Sequence, residues 1–204
     1  RKTSKEERTK KLPMVKGNIS DEIVNVGEVQ YNRKRSLEEQ VKDVLNHRLD
    51  SNENVYLRET PEILASVGLK KLPMLINQIH VETAIKKSGN LKKVNYHGMG
   101  IETFLKIPSY MENPLMVVKS KKAGRIVMLL NLADQNGDAI IAAIQPDAKN
   151  IYNKVMIANN HVISVYGKIT AQEYFENAFE RNAILYPKGI KKAQKWASWF
   201  TFIL

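Results

Sequence analysis

Apolar positions along this chain change their spacing part-way, from a helical period to a strand period. Ser36 and Glu39 fit a capping box, in which the serine hydroxyl and the glutamate carboxylate satisfy free backbone amides. Leu37, Val41, Val44 and Leu45 follow at helical spacing. Thr60 and Pro61 predict the start of a second, short helix that Gly68 closes. After an apolar run over residues 72–76, Asn77 is placed to cap a helix bearing His80, Val81, Ala84 and Ile85, with Gly89 as its stop. A flexible turn around His97 precedes residues 101–112, which give one or two further helical turns broken by Pro108.

Beyond this point the pattern reads as strands, over residues 115–118, 125–132, 139–144 and 161–166. Asn136 and Gly137, between the second and third, are a tight-hairpin signal. Thr170 is placed to cap a helix carrying Tyr174, Phe175, Ala178 and Phe179. Residues 184–186 suggest an edge strand and residues 188–199 a last helix, followed by an apolar end that includes Trp199, Phe200, Phe202, Ile203 and Leu204. Helices first and antiparallel strands afterwards predict an α+β fold. The compact domain is expected over residues 36–204, preceded by a basic linker or arm at 1–35 that lacks a sustained apolar period.

Composition narrows the function classes. With 204 residues and 43% hydrophobic content the chain can bury a core. No apolar run approaches the roughly 20 residues of a membrane-spanning helix, and the first residues are charged where a signal peptide would be apolar. There are no cysteines, and the four histidines show no ligand spacing, so no metal and no cofactor are expected. The net charge of +11 is concentrated at the ends: residues 1–35 carry ten Lys/Arg against five Asp/Glu, and residues 186–204 carry four against none. Such charge attracts polyanions without selecting one. Two internal clusters are more local: Lys86, Lys87, Lys92 and Lys93, and then Lys119, Lys121, Lys122 and Arg125.

Candidate chemistry concentrates at Ile163, Ser164, Val165, Tyr166, Gly167 and Lys168. On a strand, alternate side chains share a face, so Ser164, Tyr166 and Lys168 would project together while Ile163 and Val165 are buried. Ser164 lacks the strand-to-helix elbow of a nucleophilic serine and reads as a hydrogen-bonding group. No glycine-rich phosphate loop occurs, which argues against a nucleotide-dependent transferase.

Several segments, in order, resemble the MuF C-terminal toxin domain family: residues 36–41, Val55 and Tyr56, residues 60–64, residues 72–76, His80, Tyr96-His97-Gly98, Ile107 and Pro108 with residues 112–114, residues 163–168 and residues 184–186. The resemblance spans about 36 to 195. It implies a barnase- or RelE-like fold, with N-terminal helices packed on a four-stranded antiparallel sheet. It also implies a toxin that cleaves RNA (tRNA, rRNA or mRNA) without metal, secreted or delivered as part of a larger polypeptide. Such a toxin would act in the target-cell cytoplasm and be restrained by a cognate, acidic immunity protein.

A metal-free ribonuclease needs groups to move protons at the 2′- and 5′-oxygens, and donors or cations on the phosphate. His97 is the first candidate for acid or base, since an imidazole titrates near neutrality, and His80 is the second; His47 and His161 read as structural or exposed. Lys168 would neutralise the phosphate, Tyr166 donate to it or stack on a base, and Ser164 orient a neighbour. Lys87, Lys92, Lys93 and Gln145 are candidate substrate-binding residues. The chain departs from the family's pattern at Asn77 and Ile79, and at Gln145, where a lysine is usual. The alternatives are a non-catalytic module that binds nucleic acid or protein through the same face, and a transferase toxin of another class.

Overall fold

The computed structural model describes residues 35–91 and 95–187, together with the backbone of three two-residue strands, β1 (Met14–Val15), β2 (Asn25–Val26) and β3 (Val29–Gln30). The expected final helix, the apolar end, Lys92, Lys93 and most of the arm lie outside the described residues. The first helix, α1 (Leu37–Leu45), opens with the anticipated capping box, with Ser36 and Glu39 bonded reciprocally. Next come β4 (Asn54–Glu59), α2 (Glu62–Ser66), β5 (Pro73–Asn77) and α3 (Gln78–Ile85), where the Asn77 side chain accepts from the Ile79 amide. α4 (Ile101–Tyr110) runs through Pro108 without breaking, anchored by the buried Phe104, Ile107 and Met111. β6 (Met116–Lys119), β7 (Ile126–Ala133), β8 (Ala139–Tyr152), β9 (Val155–Gly167), α5 (Ala171–Glu180) and β10 (Ile184–Tyr186) complete the order.

The fold is α+β, but the four-stranded antiparallel sheet of the barnase or RelE type is overturned. Seven strands lie in the order β10-β6-β7-β8-β9-β5-β4. The sheet is mixed, because β5 pairs with β9 in parallel while its other neighbours are antiparallel. β1 also runs parallel beside β9, and β2 pairs with β3 separately. The difference comes from the supposedly helical first half, which contributes two strands. In β4, Val55 and Leu57 alternate with the less buried Tyr56 and Arg58, the period of a half-buried strand. In β5, Met74, Leu75 and Ile76 are all buried, as expected of an interior strand paired in parallel and covered on both faces.

β8 and β9 are also longer than the apolar runs that announced them, because polar residues inside them are paired. Asn160 is fully buried, and its amide donates to Thr60 Oγ1 at 2.8 Å and to the Lys70 carbonyl at 2.9 Å. Those bonds offset the desolvation that would otherwise end the strand there. The tip of this hairpin is held by the Glu53 carboxylate, which accepts from the Asn153 amide at 2.6 Å.

Two cores result. The main one packs α1, α3 and α4 on one face of the sheet, through Val41, Ala84, Phe104, Met128, Val162 and Val165 among others. On the opposite face, Phe175 and Ala178 of α5 pack over Val118, Leu129 and Ile141, which belong to β6, β7 and β8. The candidate residues of β9 lie on this second face, beside α5.

Candidate functional site

Strand register assigns the faces. Ile141 stands opposite Tyr166, Ala143 opposite Ser164 and Gln145 opposite His161, and directly opposed residues share a face. Ala142 opposite Val165 and Ile144 opposite Val162 belong to the main core. A register shift between these pairs leaves Ile163 without a directly opposed partner, so Val162, and not Ile163, joins Val165 inside. His161, Ser164 and Tyr166 therefore share the second face, on a floor kept low by Ala143.

His97 reaches this face from the segment after α3. The segment is not the flexible turn expected, since its backbone is zipped onto the open end of the helix. His97 N–H donates to Thr83 O at 2.8 Å, Gly98 to Lys86 O at 2.9 Å, Met99 to Ala84 O at 2.9 Å and Gly100 to Ile85 O at 3.2 Å. The last carbonyls of α3, which have no partner inside the helix, thus fix the position of His97. Gly98 has φ +65°, and a Cβ there would lie 2.7 Å from Lys87 Cγ, so the glycine also lets the Lys87 stem lie against this segment.

The His97 ring stacks on Tyr166, with centroids 5.0 Å apart and planes at 21°. Burial holds the His97 pKa below the ordinary imidazole value, opposed by the attraction of Asp134. His80, half-buried at the start of α3, is lowered by burial and then by the charge of His97. His161 is pushed down to about 4, mainly by burial and secondarily by His80. His80 thus senses the charge of His97, and His161 that of His80; His161, read from sequence as structural or exposed, is half-buried. Its Nδ1 is buried and has no hydrogen-bond partner among the described residues. The Tyr166 hydroxyl is raised above its ordinary value by burial and by Tyr174, so it remains a donor.

Lys168 follows β9 and places its ammonium 5.4 Å from the centre of the Tyr174 ring. At the other end, Gln145 accepts a hydrogen bond from Arg125 Nε at 3.1 Å. The structure therefore gathers His80, His97, Ser164 and Tyr166, with Lys87 exposed beside the His97 segment; Lys168 lies past the end of β9 beside Tyr174, and Gln145 lies toward the opposite end of the face beside Arg125. No group of three or more His, Cys, Asp or Glu among the described residues is arranged to hold a metal ion. A separate cleft of about 460 Å³ lies between α2, the end of α4 and β10, lined by residues such as Glu62, Glu112 and Tyr186; none of the candidates lines it.

Asp134 escaped sequence reasoning. Its carboxylate accepts from the Asn136 and Asp138 amides at 2.8 and 3.0 Å, which builds the Asn136-Gly137 turn. A Cβ on Gly167 would fall 2.1 Å from Asp134 Oδ2, so only glycine lets that carboxylate approach the end of β9. The hairpin signal was visible, but its aspartate gave no sign of acting on a histidine from another segment.

The sequence model of the phage MuF C-terminal domain matches residues 88–195, a shorter span than the expected 36–195. The chain belongs to the phage MuF C-terminal domain family. No curated protein and no solved structure matches it. The MuF match covers His97, Gln145 and residues 163–168, while His80 and the strands β4 and β5 precede it.

Proposed function

We propose that this MuF C-terminal domain is a toxin that cleaves RNA phosphodiester bonds without a metal, using the second face of the sheet. The observation that supports this most is the His97 ring stacked on Tyr166, electrostatically coupled to His80 and with Ser164 and Lys168 on the same stretch of backbone. The reading rests on these side chains and on family membership, not on a barnase-like sheet.

In the proposed reaction His97 takes the proton of the 2′-hydroxyl as its oxygen attacks phosphorus. His80, in its protonated form, gives a proton to the departing 5′-oxygen, leaving a 2′,3′-cyclic phosphate and a 5′-hydroxyl. Lys168 and the Tyr166 hydroxyl stabilise charge on the phosphate oxygens, and Ser164 orients the phosphate. The toxin would reach the target-cell cytoplasm as part of a larger polypeptide, and its cognate immunity protein would cover this face with acidic residues, since charge complementarity speeds association and excludes substrate.

The test is incubation of the full chain with total RNA and tRNA in EDTA, followed by end mapping. Cleavage leaving cyclic phosphates is expected. His97→Ala should lower kcat/KM by about 100-fold or more, the usual contribution of a proton-transfer group, with the fold unchanged by circular dichroism. Binding without cleavage at any pH would instead favour a nucleic-acid-binding module. Intact RNA with no binding would reject RNA as the substrate.

A further inference from the structure

The cation at the far end of the second face was visible in sequence only as part of a basic turn. Arg125 closes the turn between β6 and β7, where its amide bonds to Lys122 O at 3.3 Å and its carbonyl accepts from Ser120 N–H at 2.9 Å. Ile126 faces the main core and Val127 the second core, so Arg125 shares its face with Val127. Gln145 is one residue beyond Ile144, the partner of Ile126, and it stands opposite His161. Arg125, Gln145 and His161 thus form a row across three strands, spanning roughly 10 Å.

The manner in which Arg125 is held is informative. Gln145 accepts from Nε at 3.1 Å, and its own amide nitrogen lies 3.4 Å from Gly124 O. A neutral amide fixes the guanidinium plane without cancelling its charge, whereas a carboxylate there would cancel it. No carboxylate of the described residues forms an ion pair with Arg125. A charged fork whose terminal nitrogens are paired with no acid among the described residues suits a phosphate diester. The other cation, Lys168, follows the end of β9, seven positions from His161, roughly 20 Å at the usual rise of a strand.

Resting on the ribonuclease reading above, we propose that Arg125, oriented by Gln145, binds a backbone phosphate of single-stranded RNA several nucleotides from the one held at Lys168. The site then accepts a polynucleotide tract across β7, β8 and β9, and a mononucleotide is a poor substrate. Gln145 is a positioning residue, acting through Arg125.

The test uses the full chain and a short fluorescent 2′-O-methyl RNA, which binds but cannot be cleaved through its 2′-oxygen, titrated by anisotropy over a range of KCl. Arg125→Gln should weaken binding and make the slope of log affinity against log salt shallower by about 0.7, the loss of one single-strand phosphate contact. On cleavable RNA it should raise KM and leave kcat unchanged. Arg125→Lys should keep the slope and bind less tightly than wild type, because it keeps the charge and loses the fork. Gln145→Leu should weaken binding in the wild-type background and have no further effect beside Arg125→Gln.

If wild type binds while Arg125→Gln, folded by its melting curve, keeps the same slope and KM, the proposal falls and the ribonuclease reading stands. If Gln145→Leu costs as much in the Arg125→Gln background as in wild type, the positioning role falls. If wild type neither binds nor cleaves RNA, both proposals fall together.

Discussion

At the scale of single residues, the site is governed by what burial does to imidazoles. A lowered pKa means that the proton leaves at lower pH, so a base becomes competent earlier and an acid is exhausted earlier. His97 and His80 are both lowered, chiefly by burial. If His97 is the base and His80 the acid, the two limbs of the kcat/KM profile, which report the free enzyme, both fall below about 6.5, the ordinary imidazole value. We predict an optimum on the acid side of that value. Asp134 favours the charged form of His97, so Asp134→Asn should move the His97 titration lower still, which an NMR titration of its ring protons can follow. An optimum above neutrality, or a His97 titration indifferent to Asp134→Asn, would remove His97 from the proposed role.

At the scale of elements, what could be read in advance depended on whether a signal was local. The capping box at Ser36, the Asn77 cap and the Asn136-Gly137 hairpin each arise within a few residues, and each is found as predicted. The strands β4 and β5 depend on partners far away: β5 is a strand because β9 lies beside it, and its short apolar run is equally compatible with a buried helix. Likewise, alternation within residues 163–168 announced a wet face, but the stacking of His97 on it depends on α3 ending where residues 97–100 can satisfy its carbonyls. The edge strand β4 illustrates a nonlocal device. Gln40 of α1 is 3% exposed; it accepts from the Tyr56 amide at 2.8 Å and donates to the Tyr56 carbonyl at 3.2 Å, imitating a neighbouring strand. Gln40→Leu should therefore cost about 1–3 kcal/mol, the penalty of leaving buried backbone groups unpaired. It should also promote edge-to-edge association. Urea denaturation and light scattering would check the two effects, and a stability within 0.5 kcal/mol of wild type, roughly the range for an ordinary surface change, would contradict this role for Gln40.

For the whole molecule, the decisive distinction is between a face that binds RNA and one that also transforms it, and net charge alone cannot supply it. A chain of net charge +11 will attract any polyanion at low salt. A specific site should select single-stranded RNA and should do so only in the folded state. A ligand that binds only the folded form stabilises it by RT ln(1 + [L]/Kd), about 2.7 kcal/mol at 100 times Kd. At 2–4 °C per kcal/mol for a chain of about this size, the 2′-O-methyl RNA should raise Tm by roughly 5–10 °C. Double-stranded DNA of equal charge should do less at physiological salt, because its bases cannot splay onto the Tyr166 and Tyr174 rings. His97→Ala should retain most of the shift while losing cleavage of unmodified RNA, since proton transfer and phosphate binding fall to different groups. A shift equal for DNA and RNA would reduce the face to a generic polyanion surface. A shift abolished by His97→Ala would make the stacked ring part of the binding platform and leave the proton transfer to His80.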